Sequence, residues 1–130
     1  MSEFLNLLPL IEFKEGISDA VEQIAALPGT KVFRLDGKKI NSKETFLNQA
    51  AEAMQFPKYF GANWDAFDEC ITDLTWCPAQ RYVILYDHAD IFAQADPIQY
   101  QIALDILNSA KEYWESHHIP MNYIMYVGAG

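Results

Sequence analysis

The stretch "RYVILYD", residues 81 to 87, decides how the rest of the chain is read. It is an almost unbroken apolar run of strand length, bounded by polar residues, with none of the alternation of a half-exposed strand. Such a run fits a strand covered on both faces, as parallel strands are. Two further strands are predicted around it, "KVFRLDG" at 31 to 37, ending in a turn, and "MNYIMYVG" at 121 to 128. Helical segments separate all three, so right-handed crossovers and a small parallel α/β sheet follow. Residues 81 to 87, the most apolar run, take the middle place, giving the strand order 1-2-3.

The helices are marked by their ends. Ser18 is a plausible N-cap for "DAVEQIAAL", which stops at Pro28-Gly29. Asn41 or Ser42 caps the next helix, and Asn41 with Glu44 has the capping-box spacing. That helix runs to about Met54, ahead of Phe56-Pro57. Asp96-Pro97 opens the longest helix, which extends to about His117 with broad apolar periodicity. Residues 1 to 30 read as an N-terminal, partly helical extension and residues 31 to 130 as the main domain. A chain of 130 residues is long enough to bury a core without disulfide or metal staples.

Composition narrows the function. The net charge of −9 argues against nucleic acid or an anionic membrane as partner and favours a basic one. Cys70 and Cys77 match no zinc spacing and read as free thiols in a reducing cytoplasm. The N-terminus lacks a basic n-region, and no apolar run reaches the roughly 20 residues needed to span a bilayer.

The charge is concentrated in "YFGANWDAFDECITDL", residues 59 to 74. With Asn63 as N-cap and about 100° per residue, Trp64, Phe67, Cys70, Ile71 and Leu74 share one side. Asp65, Asp68, Glu69 and Asp73 share the other, and no Lys or Arg lies between Lys58 and Arg81 to balance them. Like charges at these spacings cost roughly 0.2–0.5 kcal/mol per pair in an isolated helix. A solvated face of an acidic protein is one explanation. The aromatic, Gly-containing loop Tyr59, Phe60, Gly61 and Ala62 beside it fits a surface that docks against cations.

"FPKYFGANWDAFDECITDL" also resembles the loop and second helix of the barstar family, small proteins that inhibit a secreted ribonuclease. Pro57, Tyr59, Gly61, Asn63, Asp65, Ala66 and Cys70 match the family pattern directly, and a looser likeness covers residues 31 to about 127. The resemblance implies a barstar-like α/β fold and a non-enzymatic inhibitor whose carboxylates stand in for RNA phosphates. That family is itself a standard case of electrostatically steered binding. It also implies the partner: a basic ribonuclease or ribonuclease-like toxin in the cytoplasm, bound by a monomer or weak dimer, without cofactor or metal. Tyr59, Phe60, Gly61, Asn63, Asp65, Asp68, Glu69 and Asp73 form the expected contact region. Three positions depart from the family: Glu69 stands where it has Asp, Asp68 where it has Trp, and Ser109 where it has a second acidic contact. Asp105 and Glu112 lie about one turn to either side of Ser109.

Two readings from other classes stand beside this one. The same acidic face can serve as an interaction module for a basic protein that is not a nuclease. Alternatively, His88, flanked by Asp87 and Asp90 just after a strand, can be read as the general base of a hydrolase. No nucleophile motif or Gly-rich phosphate loop accompanies it, and an exposed loop histidine is the simpler reading. His117 and His118 suit a helix C-terminus. The carboxylates of residues 65 to 73 offer Mg²⁺ or Ca²⁺ only partial coordination. Trp64, Trp76 and Trp114 read as anchors in or near the core.

Overall fold

The computed structural model describes residue 23, residues 25–57 and residues 63–125. The loop Tyr59, Phe60, Gly61 falls outside them, as do five of the nine residues of the helix expected after Ser18. Strand β1 (Thr30–Leu35), β2 (Arg81–Tyr86) and β3 (Met121–Met125) form a parallel sheet in the order β1-β2-β3. The central place of β2 follows from its side chains, since Tyr82, Val83, Ile84, Leu85 and Tyr86 are all buried. Tyr82, Ile84 and Tyr86 join the main core with Phe33, Leu35, Met121, Tyr123 and Met125. Val83 and Leu85 point the other way, into a smaller cluster with Ile124, Val32 and Leu27. One strand thus supplies two cores, which is why its sequence does not alternate.

Four α-helices are described: α1 (Lys43–Met54), α2 (Trp64–Ile71), α3 (Ala89–Ala95) and α4 (Pro97–Ser116). Helix α1 buries Phe46, Leu47, Ala50 and Met54 in the main core. Its cap differs from the spacing-based expectation. Ser42, not Asn41, is the N-cap, and Thr45, not Glu44, closes the capping box. The Thr45 hydroxyl is short enough to accept from the backbone N–H of Ser42 at 3.0 Å while Ser42 Oγ accepts from Thr45 N at 3.1 Å. Glu44 is left exposed in the first turn, where its charge suits the helix dipole. Helix α4 starts as the Asp96-Pro97 pair predicts, with Asp96 Oδ1 accepting from Gln99 N at 3.2 Å.

Two short elements add detail, of which helix α3 was not foreseen. The turn expected at the end of β1 is a 3₁₀ turn, Gly37–Lys39, capped by Asp36. Gly37 lies so close to the turn after β2 that a Cβ there would stand 1.6 Å from the Asp87 carbonyl oxygen. Helix α3 occupies a region read as a loop. His88, at φ 48°, turns the chain into it and buries Ala89 and Phe92.

Candidate functional site

Helix α2 is built to hold one face in the core and the other in water. Its N-cap is Asn63, whose Oδ1 accepts from Ala66 N at 2.8 Å. Phe67, Cys70 and Ile71 are buried, and Phe67 meets Phe46 edge-on at 5.4 Å between ring centres. Trp64 donates from Nε1 to Gln99 Oε1 at 2.8 Å, and Trp114 donates from Nε1 to the Ile71 carbonyl at 2.8 Å. Both ends of α2 are therefore pinned to α4. Trp76, the third tryptophan, donates to the Met54 carbonyl at 2.9 Å. All three indoles act as anchors.

On the outer face, Asp65, Asp68 and Glu69 are exposed. Asp73 is exposed too but does not extend this helical face. The helix stops at Ile71, two residues before it. The Thr72 hydroxyl donates back to the Asp68 carbonyl at 2.8 Å, and Leu74, at φ 48°, returns to the core at 1% exposure. Leu74 is thus buried as expected but outside the helix, and Asp73 is left on the bend after α2. The ion pairs among the described residues are His88–Asp87 and Lys111–Glu115, so none of these four carboxylates is neutralised by one. The negative field reaches inward. Burial pushes the Cys70 thiol up, and the charges of Asp73 and Glu69 push it further.

Helix α4 adds Asp105, Ser109 and Glu112, all exposed. Asp105 Oδ1 accepts from Gln101 Nε2 at 3.0 Å. The one cation of α4, Lys111, faces elsewhere: it pairs with Glu115 and reaches Asn122 Oδ1 on β3 at 3.2 Å. Two helices linked by tryptophan hydrogen bonds thus present carboxylates with no lysine or arginine of their own beside them. Among the described residues no group of three or more His, Cys, Asp or Glu is placed to hold a metal ion.

Of the residues of the hydrolase reading, Asp87 is committed to structure. Asp87 Oδ1 accepts from Gly37 N at 2.7 Å, and His88 Nδ1 lies 3.5 Å from the same oxygen. The His88 side chain is only 18% exposed, contrary to its reading as an exposed loop residue, because its αL turn folds it under α3. A cavity of about 320 Å³ near the ends of β1 and β2 is lined by Arg34, Leu35, Asp36, Lys38, Leu85 and Asp87, without His88. No described helix is long and apolar enough to cross a membrane.

Comparison with curated proteins gives no match. A family model described as barstar (barnase inhibitor) matches residues 30–125, which hold all three strands and four helices described above. The chain belongs to the barstar (barnase inhibitor) family.

Proposed function

We propose that this chain is a protein inhibitor of a basic ribonuclease, of the antitoxin or immunity type, acting in the cytoplasm as a monomer or weak dimer. Residues 31–130 form the inhibitory domain, and residues 1–30 are an extension to it. The observation that carries the reading is the exposed, unneutralised carboxylate face of α2. A ribonuclease binds its substrate's phosphates with Arg, Lys and His. A rigid anionic helix can occupy that site, and the repulsion within the helix is relieved only when the partner's cations arrive. Tyr59, Asp65 and Glu69 lead the contact, with Phe60, Gly61 and Asn63 between the first two. Asp68, Asp73, Asp105, Ser109 and Glu112 lie around them.

A second reading is favoured by particular residues. Asp68 and Ser109 differ in chemistry from the family's contacts at those positions, and Glu69 is longer than the family's Asp. These changes fit a different basic partner, which need not be a nuclease. The deciding experiment is inhibition of a panel of small basic ribonucleases by wild type and by Glu69→Lys. The inhibitor reading expects potent inhibition by wild type, weakened about 100-fold or more in the variant, or about 3 kcal/mol. Inhibition equal in both removes α2 from the contact. Stable complexes with basic non-nucleases alone favour the second reading.

A further inference from the structure

Among the described residues the exposed large hydrophobic side chains are Ile98, at 73% exposure, and Tyr113, at 39%. A single exposed Ile is ordinary. Here, however, the two belong to one row. Ile98, Ile102, Ile106 and Tyr113 are spaced 4, 4 and 7 residues apart along α4 and so lie on one side of it, with Ser109 filling the remaining turn. Ile102 and Ile106 are half-buried, which makes the row continuous from the exposed Ile98 to the exposed Tyr113.

The row lies beside the junction with α2. Gln99 follows Ile98 and accepts from Trp64; Trp114 follows Tyr113 and donates to Ile71. Asp68 lies four residues after Trp64 and three before Ile71, on the edge of α2 that faces α4. Asp105 and Glu112, each one residue before a member of the row, flank it on the outer side. Tyr113 is also held in place, with its ring 4.3 Å from that of His117 and 5.3 Å edge-on to Trp114. It presents a large side chain with little rotamer freedom left to lose on binding.

We propose that this apolar row is part of the partner-binding face, and that it takes an apolar side chain of a basic protein whose cations meet Asp68, Asp105 and Glu112. The proposal rests on the inhibitor reading and deepens it. Exposed ion pairs contribute little each, so a purely ionic face gives fast but weak association. Desolvated aromatic and aliphatic anchors at its centre supply the affinity. The row therefore selects a folded protein over a polycation, because a flexible basic chain offers no apolar group fixed between its charges.

The test is the double variant Ile98→Ser/Tyr113→Ser, measured against each basic ribonuclease of the panel that wild type inhibits, with Glu69→Lys beside it. Both residues are exposed, so thermal stability is the folding control. The expected result is a Kd raised tenfold or more through faster dissociation, with the salt dependence of association unchanged. A Kd unchanged within about twofold, for a partner that Glu69→Lys releases, overturns the apolar row and leaves the inhibitor reading standing. Weakening in the double variant together with full binding by Glu69→Lys upholds the row and removes the acidic helix from the contact. A panel in which wild type binds no ribonuclease overturns both.

Discussion

The indole N–H of Trp114 donates to the main-chain oxygen of Ile71 at 2.8 Å, joining the last residue of α2 to the C-terminal half of α4. A helix end leaves carbonyls without internal partners, and this one is paired by a side chain 43 residues away. Trp114→Phe keeps most of the ring contact with Tyr82, whose centre is 5.1 Å away, but orphans the carbonyl. The expected loss is about 1–3 kcal/mol in denaturant unfolding. The end of α2 also loosens from α4, so hydrogen exchange at residues 70 to 74 rises more than at β2.

Gly37 and Asp87 form the other close junction, between the end of β1 and the turn after β2. The Gly37 N–H donates to Asp87 Oδ1 at 2.7 Å, and any Cβ on residue 37 collides with the Asp87 main chain. Backbone cannot swing aside as a flexible side chain can. Gly37→Ala is expected to destabilise the protein by about 3 kcal/mol, at the upper end for overpacked sites. Thermal unfolding measures it, and an unchanged Tm shows that the turn yields.

What was legible in the sequence was whatever a local pattern encodes. The unbroken run of β2 announced a strand buried on both faces, and Asp96-Pro97 marked the start of α4 because cap and first-turn proline act within one turn. The outer face of α2 followed from helical periodicity alone. The misses turn on backbone conformations and competing hydrogen bonds that no simple pattern encodes. Helix α3 forms because His88 adopts αL and lets Phe92 reach Phe46, 5.9 Å away. Asp73 falls off the helix because the chain leaves it after Ile71 and turns through αL at Leu74. Of the two caps the sequence offers, Ser42 is used, and the box closes on Thr45 instead of Glu44 because its hydroxyl accepts from the Ser42 N–H. The apolar residues of α4 were visible as a broad periodicity, but only the packed structure reveals that Ile98 and Tyr113 stay outside.

The carboxylate face of α2 predicts how association with a basic partner responds to charge and salt. A unit charge about 8 Å away through water is worth about 0.5 kcal/mol, or roughly a factor of two in rate per charge removed. Asp65→Asn/Asp68→Asn is therefore expected to slow association about fourfold at low salt and little at 0.5 M, where charges this far apart are screened. Stopped-flow association at several salt concentrations tests this. An effect of the same size at all salts shows that the two carboxylates act by direct contact, not by steering.

Tyr86 provides a test of the core that is independent of any partner. It is fully buried on β2, and its hydroxyl has no hydrogen-bond partner among the described residues. Burial raises its pKa far above the ordinary tyrosine value, with the charges of Tyr100, Asp87 and Asp90 adding to the shift. Burial likewise raises Tyr82, Tyr100 and Tyr123. Above about pH 10 the unfolded chain releases its phenolic protons while the folded chain keeps them. The unfolded state then binds fewer protons, so stability is complete below pH 10 and falls as pH rises beyond it, by up to about 1.4 kcal/mol per pH unit for Tyr86. Tyr86→Phe removes both the unpaired hydroxyl and the titration. It is expected to be neutral or more stable by about 1 kcal/mol at pH 7, and to flatten the alkaline limb of the stability curve. A variant less stable by 1 kcal/mol or more at pH 7 means that the hydroxyl is satisfied after all, by a buried water or by a group outside the described residues. An alkaline limb as steep as in wild type instead assigns that limb to Tyr82, Tyr100 and Tyr123.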